Sequence, residues 1–179
     1  MFPVNLPNVL TVFRILLVPV LVAALLTETR NGDVLAAVVF AVASVTDYFD
    51  GWYARSRNII TNFGKAMDPI ADKLLVIAAL VTLVQLDRLA AWVAMVIIAR
   101  EVAVTVARAQ APEVIPAALW GKWKTCVQIA AIFFLILLDP SPAWVDALVY
   151  AAVAITIVSA IDFFAGLRRA TRTAEAPSS

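Results

Sequence analysis

Six mostly apolar stretches, separated by short polar breaks, leave this chain few folds to choose from. They run over about 8–27, 34–55, 64–86, 89–109, 121–138 and 144–167. Each is near the ~20 residues that a helix needs to cross the hydrocarbon layer of a bilayer. The breaks fall where turn-forming residues gather: Asn31-Gly32-Asp33, residues 56–63, Asp87-Arg88, Pro112 to Pro116, and Asp139-Pro140-Ser141-Pro142. The pattern predicts an all-α, polytopic membrane protein with six transmembrane helices. A composition 63% hydrophobic over 179 residues agrees with that, as does a mean hydropathy of +0.92. Residues 1–170 read as one six-helix domain, and 171–179, small and polar, as a disordered cytoplasmic tail. The first stretch lacks a basic leader and a cleavage site, so it is expected to be a retained helix.

The charges orient the bundle. Arg30 and Arg88 fall at one membrane face, whereas the other twelve Lys and Arg residues fall in the opposite half. By the positive-inside rule, that asymmetry puts both termini and the 56–63 loop in the cytoplasm of a multi-pass protein of the cell membrane. A net charge of +1 without a basic tract gives no reason to expect a nucleic-acid partner. The single cysteine, Cys126, rules out a disulfide within the chain and is expected to be inert packing. The absence of histidine excludes Ser-His triads, His-ligated zinc and histidine acid–base chemistry.

Between the second and third stretches stand four carboxylates. On helices, Asp47 and Asp50 share a face three residues apart, as do Asp68 and Asp72 four apart. Two antiparallel helices joined by residues 56–63 would bring all four together at one membrane surface. Four like charges at close quarters repel, so cations are expected between them. Hard divalent ions on carboxylate oxygens, Mg²⁺ or Mn²⁺, suit that donor set. Charged groups in spanning segments cost about 2.5–3.5 kcal/mol each on insertion scales and tend to mark function. Gly51 and Ala54 clear a groove beside the first pair, and Arg55 at the helix end is placed to meet a phosphate or a base. Arg57 reads as an interface anchor. Thr61 is spaced to cap the third helix, and Asn8 after Pro7 to cap the first.

The pattern Asp47-x2-Asp50-Gly51-x2-Ala54-Arg55-x8-Gly64-x3-Asp68-x3-Asp72 resembles the complete signature of the CDP-alcohol phosphatidyltransferases, and the similarity covers most of residues 5–128. The resemblance implies that family's helical fold and a transfer of the phosphatidyl group of CDP-diacylglycerol to an alcohol, with release of CMP. It further implies a two-metal site on Asp47, Asp50, Asp68 and Asp72, with Asp72 also the candidate catalytic base. Asn8, Thr11, Gly51, Ala54, Arg55, Thr61 and Gly64 would contact the nucleotide. A homodimer is implied as well.

The signature leaves the acceptor open. Arg100, Arg108, Lys122 and Lys124 border the cytoplasmic side and would draw an anionic acceptor, the arginines through charge-assisted hydrogen bonds to phosphate. For Arg100 an ion pair within the bundle is the competing role, in the neighbourhood of Glu101 or with another helix's acid, Asp162 being one possible partner. The run Gly121-Lys122-Trp123-Lys124-Thr125 followed by Gln128, and the opening Asn5–Arg14, resemble the phosphatidylglycerophosphate synthases within the family. They point to sn-glycerol 3-phosphate as acceptor and phosphatidylglycerophosphate as product. Inositol phosphate is the close rival. A cation transporter would place its acids near the bilayer midplane, and an intramembrane prenyltransferase would leave Gly51-x2-Ala54-Arg55 unexplained.

Overall fold

The computed structural model describes the backbone of residues 6–57, 62–110 and 119–175, and the side chains of residues 9–46, 73–107 and 124–168. The described chain is all-α. It comprises α1 (Leu6–Leu25), α2 (Arg30–Arg57), α3 (Asn62–Gln85), α4 (Ala91–Gln110), α5 (Leu119–Leu137) and α6 (Ala143–Glu175). The six expected helices are present. The Pro112–Pro116 connection, Thr61 and residues 176–179 lie outside the described residues.

Two boundaries differ from expectation. Helix α2 begins at Arg30, so the Asn31-Gly32-Asp33 run lies in its first turn and is not a break. Thr29 caps that turn: its Oγ1 accepts the Gly32 N–H at 3.1 Å, and its carbonyl accepts the Asp33 N–H at 2.9 Å. The chain reverses before it through Glu28, whose φ is 48°. Helix α6 continues to Glu175, into the stretch expected to be a tail. The expected stop at Asp87-Arg88 is confirmed, and its geometry is that of a Schellman ending. Asp87 takes φ 56°, the Arg88 N–H reaches the Leu83 carbonyl at 2.9 Å and the Asp87 N–H reaches Val84 at 3.1 Å.

Helix α1 packs on α2 and α3; α5 packs on α6 and α2; α4 lies against α6 and α3. The core is a continuous apolar cluster in which Leu21, Leu25, Phe40, Leu80, Leu83 and Ile136 are fully enclosed. Alternating helix directions put the start of α2 and the ends of α3 and α5 at one end of the bundle. There the Arg88 guanidinium joins three elements, donating to Asp33 at 2.7 and 3.4 Å and pairing with Asp139 at 2.9 Å. Arg30, at the same end, donates to the Leu137 carbonyl.

The outside of the bundle is apolar too. Val9, Val12, Phe13, Leu16 and Val20 form an exposed stripe on α1, and Val34, Leu35, Val38, Val42 and Val45 a second on α2. Among the described residues, one helix segment, Ala143–Arg168, is long and apolar enough to cross a membrane alone; Val9–Leu25, Lys73–Gln85 and Lys124–Leu137 are shorter apolar runs. Cys126 is exposed on α5, contrary to the expectation that it packs inside.

Candidate functional site

Toward the other end of the bundle a polar cleft opens between five helices. Each contributes through an identifiable choice of face. On α1 the apolar stripe turns outward, which directs Thr11 and Arg14 inward, 3% and 2% exposed. Helix α2 supplies the small residues Ala43 and Ser44, which leave space beside the Arg14 side chain. From α3 comes Lys73, the residue after Asp72; from α4 comes Glu101; from α5 come Lys124 and Gln128, one turn apart on one face.

Glu101 is the electrostatic centre of this cleft. It is 3% exposed, and a lone carboxylate so placed would be strongly unfavourable. Three cations surround it. Lys73 Nζ lies 2.5 Å from Oε2, Lys124 Nζ pairs with Oε1, and Arg100 Nη1 lies 3.4 Å from Oε1. Arg100 also donates from Nη2 to the Ser159 hydroxyl on α6 at 2.8 Å. Arg14 lines the same cleft, which therefore carries cationic side chains from α1, α3 and α5. Gln128 is 5% exposed and its Oε1 accepts no hydrogen bond among the described residues. It stands between this cleft and an apolar cavity walled by Leu80, Val93, Ala131 and Leu135, so its amide belongs to the boundary of the polar space.

Several residues expected at the site are located by this arrangement. Thr11 faces the interior. Arg100 and Lys124 stand together on Glu101, and Arg100 reaches Ser159 and not Asp162, which is exposed. Asp47, Asp50, Gly51, Ala54 and Arg55 lie on the helical backbone of α2, and Gly64, Asp68 and Asp72 on that of α3. Their side chains, with those of Asn8, Arg108 and Lys122, lie outside the described residues, as does Thr61 altogether. Among the described residues no group of three or more acidic or cysteine side chains forms a metal cluster. The helical backbone does keep the spacings three apart in α2 and four apart in α3. The cleft adjoins both pairs, since Ser44 precedes Asp47 by three residues and Lys73 follows Asp72 directly.

Sequence reasoning missed Glu101 and Lys73 as parts of one site. Glu101 was visible only as a neighbour of Arg100, and Lys73 only as one of twelve orienting charges. Their meeting depends on how α3, α4 and α5 are placed around the cleft, to which no local period points. The available signal was the cost of a carboxylate within an apolar stretch.

Comparison with known proteins agrees with the motif. The family model for CDP-alcohol phosphatidyltransferase matches residues 4–160. A Bacillus subtilis protein named CDP-diacylglycerol--glycerol-3-phosphate 3-phosphatidyltransferase is 41% identical over 189 residues, covering 94% of this chain and 98% of its own length. A probable phosphatidylglycerophosphate synthase of Mycobacterium tuberculosis is also 41% identical, over 168 residues, covering 90% of this chain and 80% of its own. A Rickettsia felis protein bearing the first name is 33% identical over 174 residues, covering 92% and 96%. With the motif on adjoining helices beside a cationic cleft, and a family match spanning most of its length, the chain belongs to the CDP-alcohol phosphatidyltransferase family.

Proposed function

We propose that this protein transfers the phosphatidyl group of CDP-diacylglycerol to sn-glycerol 3-phosphate, giving phosphatidylglycerophosphate and CMP. The observation that carries the acceptor is the cleft lined by Arg14, Lys73 and Lys124, in which Lys73, Lys124 and Arg100 pair with the buried Glu101, next to the aspartate stretch. Cationic side chains at the acceptor's place suit a phosphorylated alcohol and disfavour an amine. The names carried by the Bacillus, Mycobacterium and Rickettsia relatives support the same acceptor.

The donor set of four carboxylates on two helices fits hard divalent cations, and Asp47, Asp50, Asp68 and Asp72 would hold two Mg²⁺ or Mn²⁺ ions. Such ions supply charge neutralisation for the diphosphate and for the departing CMP. The rest is the work of side chains. Asn8, Thr11, Gly51, Ala54, Arg55, Thr61 and Gly64 receive the nucleotide. Arg100, Arg108, Lys122 and Lys124 draw the acceptor phosphate. The acceptor hydroxyl oxygen attacks the phosphatidyl phosphorus, its proton passes to Asp72, and the bond from phosphorus to the CMP oxygen breaks. A carboxylate near cations is a weak base, so positioning and charge neutralisation contribute more than proton abstraction.

The reading extends to topology. The exposed apolar stripes on α1 and α2 support six spanning helices in the cell membrane, because a water-facing surface rarely carries contiguous apolar area of that kind. Arg30 and Arg88 at one end of the bundle support cytoplasmic termini and a cytoplasmic active site. Residues 1–170 act as one catalytic domain, in a homodimer. The test is CMP release by purified protein given CDP-diacylglycerol and, separately, glycerol 3-phosphate, inositol phosphate or serine. Turnover is expected with glycerol 3-phosphate. Efficient use of inositol phosphate or serine with none of glycerol 3-phosphate refutes the proposal.

A further inference from the structure

Within a cleft that must attract an anion, a buried carboxylate is unexpected, because it offsets one of the cations that do the attracting. Glu101 nevertheless stands there, 3% exposed, with each oxygen committed: Oε2 to Lys73 and Oε1 to Lys124 and Arg100. Lys73 comes from α3, directly after Asp72; Lys124 comes from α5; Glu101 itself comes from α4. Without the carboxylate, two ammonium groups brought so close would repel and swing apart on flexible four-carbon stems. With it, two positive charges from different helices are held on opposite oxygens of one rigid group. Lys73 remains 31% exposed on its side chain, so the tethered charge still borders the open space.

We propose that Glu101 is a positioning residue for the acceptor: it holds Lys73 and Lys124 where the phosphate of the incoming alcohol is to sit. This rests on the reading of an anionic acceptor given above. The nucleotide lies with the aspartates, so Glu101 acts on the acceptor and not on CDP-diacylglycerol. The charge-balancing role explains why a glutamate is kept at the cost of some attraction: a located charge orients its ligand better than a mobile one.

A double-mutant cycle on apparent KM tests it, because residues acting through one another are non-additive. Glu101→Gln and Lys124→Gln should each raise KM for glycerol 3-phosphate about tenfold, with KM for CDP-diacylglycerol within about twofold of wild type. In the Lys124→Gln background, adding Glu101→Gln should raise KM for glycerol 3-phosphate by clearly less than a further tenfold, since Lys73 is then the one lysine left to release. A full further tenfold, an unchanged KM in either single variant, or a parallel rise for both substrates overturns the proposal. Where Glu101→Gln fails to fold, Glu101→Asp keeps the charge and withdraws it by one methylene. It should raise KM for glycerol 3-phosphate alone, and wild-type values for both substrates would count against positioning. Wild-type protein that turns over only an uncharged or cationic alcohol removes the acceptor reading and this proposal together. Wild-type use of glycerol 3-phosphate with an additive cycle removes this proposal only.

Discussion

Arg88→Met should be among the most destabilising substitutions at the end of the bundle away from the aspartates. The guanidinium makes two donations to Asp33, at 2.7 and 3.4 Å, and one ion pair with Asp139 at 2.9 Å. The two partners differ in exposure: the Asp33 side chain is 7% exposed and that of Asp139 41%. Removing Arg88 leaves the Asp33 carboxylate buried without its cation, and breaking a buried pair in this way costs about 3–5 kcal/mol. The Asp139 pair is open to solvent, so Asp139→Asn should cost no more than about 1 kcal/mol. At about 2–4 °C per kcal/mol for a chain of this size, Arg88→Met should lower the unfolding temperature by about 6–20 °C, and Asp139→Asn by less than about 4 °C. Unfolding in detergent can be followed through the fluorescence of the five tryptophans. Adding Asp33→Asn to Arg88→Met should recover part of the loss, because the stranded charge is then gone. The kcat measured well below both transitions should stay near wild type, since this cluster lies at the far end from the cleft. Equal losses for Arg88→Met and Asp139→Asn, or no recovery in the double variant, would refute the burial argument.

Asp68→Asn is expected to abolish CMP release, and excess EDTA to do the same to wild-type protein until Mg²⁺ or Mn²⁺ is restored; full turnover in EDTA counts against a metal-dependent carboxylate site. Asp72→Asn should suppress turnover while CDP-diacylglycerol still binds, as read by equilibrium binding of the nucleotide lipid; a parallel loss of binding makes Asp72 a metal ligand first. Arg100→Ala should raise KM for glycerol 3-phosphate far more than that for CDP-diacylglycerol, and equal increases would place Arg100 in the bundle's structure alone. Gly32→Ala should destabilise by about 1–3 kcal/mol through overpacking, seen as a lower unfolding temperature. Its new Cβ would stand 1.9 Å from Thr27 Oγ1 and 2.5 Å from the Ala24 carbonyl. Thr27→Ala should not rescue it, because the backbone oxygen remains in the way.

Much of this protein was legible along the chain. Apolar stretches near the span of a bilayer, broken by Asp87-Arg88 or Asp139-Pro140-Ser141-Pro142, suffice to predict six helices, because helix length and turn chemistry are local properties. The motif from Asp47 to Asp72 is local for the same reason: its spacings of three and four align carboxylates on one face wherever the backbone is helical. Boundaries were less legible where a side chain overrode composition. Thr29 drew Asn31-Gly32-Asp33 into α2 by accepting the Gly32 N–H, an outcome that the turn-forming character of those residues conceals.

What the sequence could not determine was which charges meet. Lys73, Glu101 and Lys124 are 28 and 23 residues apart in sequence and belong to three helices. Each alone reads as an anchor or a stray ion pair. Only the placing of α3, α4 and α5 around the cleft puts both ammonium groups on one carboxylate, and the same packing gives Arg100 to Glu101 and Ser159 and not to Asp162, one of the partners that the sequence allowed. The physical reason is range. Helix formation and facial alignment depend on neighbours within a turn or two, whereas a buried ion cluster depends on how apolar faces dock. That docking rests on apolar burial and close packing, which have no directional code along the chain.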